Sequence, residues 1–260
     1  MKFWYQSAVN FDAHPGYAGA LKKHFKTVGS PGTEVELHGT RPEFSRGLII
    51  GDTVGSPYAY HMTVVPMFLD SLLQAEKTGC DAFIIATFSE PVLREMRSVA
   101  RIPVISSSEA TMLTACTVAP KIGLVTLNSI AEGYIKKSVA FHKLESRITG
   151  IYVVDENMTE GELDQNFDTP APYVERFKKT ARVALADGAE AIIAAEGMMA
   201  AMMSVNGVRE VDGAQIIDVV GTAVLFAEFA VALHKRTGLE PARRSFYTAP
   251  SAAARKALLG

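Results

Sequence analysis

"GAEAIIAAEGMM", residues 188–199, is an apolar run that ends on an acid. From Ala189 to Ala195 only Glu190 is polar, and a short run of this kind bounded by glycine reads as a strand buried on both faces, as in parallel sheets. Glu196 then stands at the carboxyl end of that strand. Ligands of open parallel sheets bind beyond the carboxyl ends of the strands, so a carboxylate there invites a functional reading.

A second stretch, "GCDAFIIATFSEP" at 79–91, has the same grammar: glycine, a small residue, an acid, alanine, an apolar run, then a polar side chain. Thr87 takes the place of Glu196, and the copies are offset by 109 residues, from Gly79 to Gly188. The segments downstream of the two copies agree as well, since "IPVISSSEATMLTA" (102–115) and "AQIIDVVGTAVLFAE" (214–228) both read as a strand, a small-residue turn and an apolar helix. One long period implies two similar lobes rather than a solenoid of many short repeats. The expected lobes are 1–115 with 222–260, and 116–221, related by a pseudo-twofold axis that brings Thr87 and Glu196 to one cleft.

Strand and helix signals alternate along the rest of the chain, which gives an α/β fold with mostly parallel sheets flanked by helices. Strands are expected at 2–7, 33–39, 120–127 and 148–155, and helices at 17–28, 58–77 and 173–187. Pro91 is expected in the first turn of a helix, where its missing N–H is no loss. Segments 40–57 and 155–172 read as long loops bordering a site, and the tail from 238 as a segment folded back over the body.

With 260 residues, 48% hydrophobic, 21% charged and a net charge of −2, the chain has the core of a globular protein and no basic stripe for a nucleic-acid partner. No run approaches the roughly 20 apolar residues of a membrane span, and a cytoplasmic protein is expected. Cys80 and Cys116 are too few for a disulfide framework or a zinc ribbon and read as reduced. The six histidines show neither HxH nor HExxH spacing, although His38 and His61 lie near the first long loop. "GLIIGDTVGS" (47–56) lacks both GxGxxG and the phosphate-loop lysine, and no GxSxG is present.

The motifs "GCDAFIIATFSEP", "PVISSSEA" and "GAEAIIAAEGMM" resemble those of the aspartate/glutamate/hydantoin racemase superfamily, which also holds maleate isomerases and arylmalonate decarboxylases. The resemblance implies two α/β lobes around one active site, with no cofactor and no metal. It also implies a cysteine at the end of each of the two strands, and here those positions match Thr87 and Glu196. A threonine hydroxyl is far too weak an acid to replace a thiol whose pKa lies near 8.5, so chemistry centred on Glu196 is expected. Thr87, Ser89 and nearby N–H groups would then hold a carboxylate or an oxyanion. By position in the family's strand-end turns, Ser7, Ser107, Thr126 and Thr222 are expected to contact substrate, with Phe88, Met198 and Met199 lining the pocket.

The expected activity is cofactor-independent acid/base chemistry on a small carboxylate or cyclic amide, as an isomerase, racemase or decarboxylase. A hydrolase opening an amide, lactam or imide with water activated by Glu196 is the alternative, and a non-catalytic ligand-binding protein is a third reading. The expected partners are a small-molecule substrate and, for an α/β chain of this size, further copies of itself.

Overall fold

Alternation of strand and helix along the chain builds two separate parallel sheets. The computed structural model describes residues 1–259; Gly260, the last residue of the expected first lobe, lies outside them. The first sheet holds β1 (Lys2–Gln6), β2 (Glu34–His38), β3 (Ala82–Ile85) and β4 (Val104–Ser106) in the order β2-β1-β3-β4. The second holds β5 (Ile122–Thr126), β6 (Ile148–Val153), β7 (Ala191–Ala194), β8 (Glu210–Val211) and β9 (Ala214–Ile217) in the order β6-β5-β7-β9-β8. Apart from the short β8, which pairs antiparallel with β9, every pairing is parallel and the two strand orders correspond. The repeated grammar of the sequence is therefore visible as repeated topology, with β3 and β7 as matching strands.

Both β3 and β7 are buried along their whole length, as their lack of polar alternation requires. Successive side chains leave a strand on opposite faces. Phe83 and Ile85 join a cluster under α4 (Pro57–Lys77) and α5 (Leu93–Val99), while Ala82 and Ile84 join the central core. That core is shared with α1 (Pro15–Val28), α6 (Ser107–Val118), α10 (Gly197–Val205) and α11 (Val219–Thr237). Side-chain caps start α6 and α11: Ser106 Oγ accepts the Glu109 N–H, and Asp218 accepts the Gly221 N–H.

Several boundaries differ from the sequence expectation for local reasons. The 40–57 segment contains two short helices, α2 (Pro42–Ser45) and α3 (Ile50–Gly55), each too short to show periodicity. Likewise 155–172 contains α8 (Glu160–Gln165), started by a reciprocal cap between Thr159 and Glu162. Pro91 precedes α5 rather than opening it, because Val92 is left-handed with φ 51° and the helix begins at Leu93. The tail folds back: Arg243 donates to the carbonyls of Arg97 and Ala100, and α12 (Ala252–Leu259) closes the chain. Helices α7 (Ser129–Phe141) and α9 (Ala171–Ala186) complete the second half. No helix among the described residues is long and apolar enough to cross a membrane.

Candidate active site

The carboxyl ends of β1, β3, β5 and β7, inner strands of their sheets, converge on one cavity of about 110 Å³, whereas β9, also an inner strand, sends no residue to it. Ser7, Ala8 and Val9 reach it from β1, Ala86 to Ser89 from β3, and Ala195 to Gly197 from β7. Asn128, Ile130, Ala131, Tyr134 and Ile135 enter from the turn after β5 and from α7, and Ile50 and Val54 from α3. Tyr17 of α1 and Glu160 of α8 complete the wall. The lining contains two carboxylates and no lysine, arginine or histidine.

Glu196 is the N-cap of α10. Its two carboxylate oxygens accept the N–H groups of Met198 at 3.0 Å and Met199 at 2.8 Å. It is half-buried, open toward the cavity and walled elsewhere by protein. The elements that carry it are apolar: β7 is Ala191–Ala194, and Met198, Met199, Met202 and Met203 of α10 are all buried. Burial raises its carboxyl pKa to about 7, outweighing the backbone N–H groups, which favour the ionised form. The nearby Glu160 carboxyl pushes in the same upward direction. Glu196 is thus a helix cap and a titratable group of the cavity at once.

Thr87 follows β3 in a tight turn. Ser89 Oγ donates to Thr87 Oγ1 at 3.1 Å, and the Tyr60 hydroxyl lies 2.8 Å from Ser89 Oγ. With Ser89 donating to Thr87, Tyr60 is the donor to Ser89, and the Thr87 proton is left to point elsewhere. Burial holds the Tyr60 phenol above its ordinary range, so it stays protonated. The turn itself is anchored by Glu90, a left-handed residue (φ 49°) whose buried carboxylate is bonded by Ser106, Ser138 and His142. Ser138 belongs to α7 and His142 directly follows it, so this anchor ties the Thr87 turn to the second half of the chain.

Of the residues expected from sequence, Ser7, Thr87, Phe88, Ser89 and Glu196 line the cavity. Ser107, Thr126, Met199 and Thr222 do not. Ser107 and Thr126 are 2% and 0% exposed, turned into the interior, and their hydroxyls have no hydrogen-bond partner among the described residues. Met199, like Met198, packs its side chain in the core and meets Glu196 only through its N–H. Thr222 lies within the first turn of α11, its N–H bonded to the Asp218 carbonyl. Neither histidine near the first loop reaches the cavity: His38 stacks on Trp4 and His61 is exposed.

Sequence reading missed Tyr17, Asn128, Tyr134 and Glu160. Asn128 is legible in retrospect, because an asparagine between a strand and a helix is a cap, and its side chain accepts the Ala131 N–H at 3.1 Å. Gly197 matters for packing: a Cβ there would stand 2.6 Å from the Tyr17 hydroxyl oxygen.

Comparison with known proteins agrees with this architecture. The family model described as Asp/Glu/Hydantoin racemase matches residues 51–227. A hydantoin racemase of Pseudomonas sp. (strain NS671) is 26% identical over 174 residues, 66% of this chain and 67% of that protein. A hydantoin racemase of Rhizobium meliloti is 29% identical over 165 residues, 63% of this chain and 66% of that protein. Among solved structures, allantoin racemases from Klebsiella pneumoniae and Pseudomonas fluorescens superpose with TM-scores of 0.76 and 0.78. Both are 21% identical, each comparison covers 96% of this chain, and 94% and 97% of those chains are covered, so the fold is shared nearly end to end. With two sheets of corresponding order, a cavity at their strand ends and a family match running from Gly51 to Ala227, the chain belongs to the Asp/Glu/hydantoin racemase family.

Proposed function

We propose that this protein is a cofactor-independent enzyme that moves a proton at the carbon beside a carbonyl of a small, uncharged cyclic amide of hydantoin type, with Glu196 as acid/base. The observation that carries this reading is the Glu196 carboxyl, held near pH 7 by burial in a cavity whose lining has no cationic residue. A group that titrates near the operating pH is the most effective proton carrier. Between the two substrate classes open to the sequence, a free carboxylate would meet two acids and no counter-charge, whereas a neutral ring meets hydroxyls, an amide and apolar walls. The hydantoin racemases that this chain resembles are named for such a ring.

In this mechanism the Thr87 hydroxyl, its oxygen already bonded by Ser89, donates to the substrate carbonyl as charge develops on it. The carbon-bound proton passes to one carboxylate, the electron pair moves to the carbonyl oxygen, and a proton returns to carbon. The two halves of the chain, 1–115 with 222–260 and 116–221, would close on this cavity as pseudo-twofold mates, with Glu196 and Thr87 in corresponding places. Serial assay of the separate enantiomers of 5-isopropylhydantoin, with loss of optical rotation as the readout, tests the activity. Ring-opened product without inversion would instead mark a hydrolase.

A further inference from the structure

The acidic segment 155–172 turns one carboxylate inward. Glu160 opens α8, and three features fix that helix. Thr159 and Glu162 cap each other, Leu163 is fully buried, and Asp164 accepts the N–H groups of Gly16 at 3.3 Å and Tyr17 at 2.8 Å, at the start of α1. Positions 160, 163 and 164 share one helix face, so the packing that buries Leu163 and docks Asp164 also directs Glu160 to the cavity. Gly161 and Glu162 on the other face are exposed.

Glu160 borders two spaces: the inner cavity and a neighbouring one of about 610 Å³ under residues 40–53, with Ala8 and Ile50 as the other shared walls. Among the described residues, no other residue donates a hydrogen bond to its carboxyl. The ionisable groups that face it are His14, from the turn before α1, and Glu196, from the end of β7. Those around Glu196 are Glu160, Tyr5, Tyr17 and Tyr173, with no lysine or arginine. Burial holds the Glu160 carboxyl above its ordinary range as well. Two carboxyls that feel each other in one poorly solvated site lose their protons in two steps, so over an interval of pH the pair carries one proton.

From this arrangement we infer that Glu160 is the second acid/base group of the cavity, set against Glu196 on the other face of the substrate ring. The inference rests on the proposed function and supplies what Thr87 cannot, a second group able to exchange protons. With Glu160 ionised and Glu196 protonated, the Glu160 carboxylate takes the proton from carbon and the C–H electron pair moves to the carbonyl oxygen. The enolate then takes the Glu196 proton at the opposite face, re-forming the C–H bond with inverted configuration. The site ends with the proton on Glu160 and the charge on Glu196, which is the starting state for the reverse direction. No oxidant, reductant or co-reactant is needed.

The test tracks each enantiomer of 5-isopropylhydantoin in heavy water by proton NMR, with native protein, Glu160→Gln, Glu160→Asp and Glu196→Gln. Native protein is expected to place deuterium in the product enantiomer ahead of the remaining substrate. Glu160→Gln should slow inversion by about 10²-fold or more, yet still wash the carbon-bound hydrogen out of one enantiomer, the one whose hydrogen faces Glu196. Glu196→Gln should wash out the other enantiomer, and Glu160→Asp should recover part of the inversion. Inversion by Glu160→Gln at the native rate overturns the inference. So does equal loss of both exchanges in Glu160→Gln with no recovery in Glu160→Asp, which marks a structural residue. Either result with Glu196→Gln inactive leaves the proposed function standing, whereas native rates in Glu196→Gln, or a native protein that exchanges neither enantiomer, overturn both.

Discussion

Gly197 and Tyr17 approach so closely that a Cβ on Gly197 would lie 2.6 Å from the Tyr17 hydroxyl oxygen and 3.5 Å from the Ala86 carbonyl oxygen. The residue after Glu196 is glycine because α1, the end of β3 and the start of α10 meet there. Gly197→Ala must push Tyr17 or the α10 start aside. We expect a destabilisation of ~1–3 kcal/mol, as for other overpacked interiors, measured by urea unfolding. Activity should fall further than that loss explains, because Glu196 moves with its helix.

Thr87 is expected to act as a donor rather than as a proton carrier. Thr87→Val should reduce kcat by about 10²-fold, the usual cost of removing one oxyanion donor, and Thr87→Ser should keep most of it. Tyr60→Phe removes the donor to Ser89, two bonds from substrate, and should cost only a few-fold. A Tyr60→Phe effect as large as that of Thr87→Val would contradict this order.

Glu196 also sets a pH dependence of folding. Its carboxyl titrates near 4.5 when unfolded and at about 7 when folded, because burial disfavours the charge. Between those values the folded state holds the extra proton, so stability falls as pH rises from roughly 4.5 to 7 and the contribution is constant above. The shift corresponds to at most ~3 kcal/mol, reduced where the carboxyl opens to solvent. Chemical denaturation of native protein and Glu196→Gln at several pH values should show this slope in the native protein alone. The variant also alters a helix cap, which lowers its curve uniformly without changing the slope.

The Glu90–His142 pair gives the opposite origin with the same sign. Both side chains are under 10% exposed and lie 2.8 Å apart. Burial alone would lower the His142 pKa, but the Glu90 carboxylate overrides it and the net shift is upward. Its contribution is therefore complete below about 6.5, the unfolded value, and is lost as pH rises through the folded one. His142→Asn should cost ~3 kcal/mol, as for one partner removed from a buried pair. The cost should be largest in mildly acidic solution, measured by thermal unfolding. Looser anchoring of the Thr87 turn should raise KM as well.

The sheets were legible because both halves repeat one pattern, an apolar run between a glycine and a polar strand end. Thr87, Phe88, Ser89 and Glu196 follow from that pattern, and Ser7 from the end of β1. Thr126 ends β5 and Ser107 directly follows β4, but both turn into the interior, since strand register alone does not say which way a hydroxyl at a strand end points. Glu160 was hidden by composition: among Asp155, Glu156, Glu162, Asp164 and Asp168 it reads as one more solvated acid. The Thr159-x-x-Glu162 signature followed by Leu163 was the available signal for α8. Tyr17 and Tyr134 sit within helices, and only the packing of α1 and α7 against the strand ends brings them to the cavity.

The most direct measurement is the rate at which native protein and Glu196→Gln invert 5-isopropylhydantoin across pH, on samples shown to be folded by circular dichroism. If Glu196 is the acid/base, inversion by the native protein changes with a midpoint near 7 and the variant loses at least about 10²-fold. Inversion by the variant at the native rate, with the same pH profile, would contradict the account and reduce Glu196 to the cap of α10.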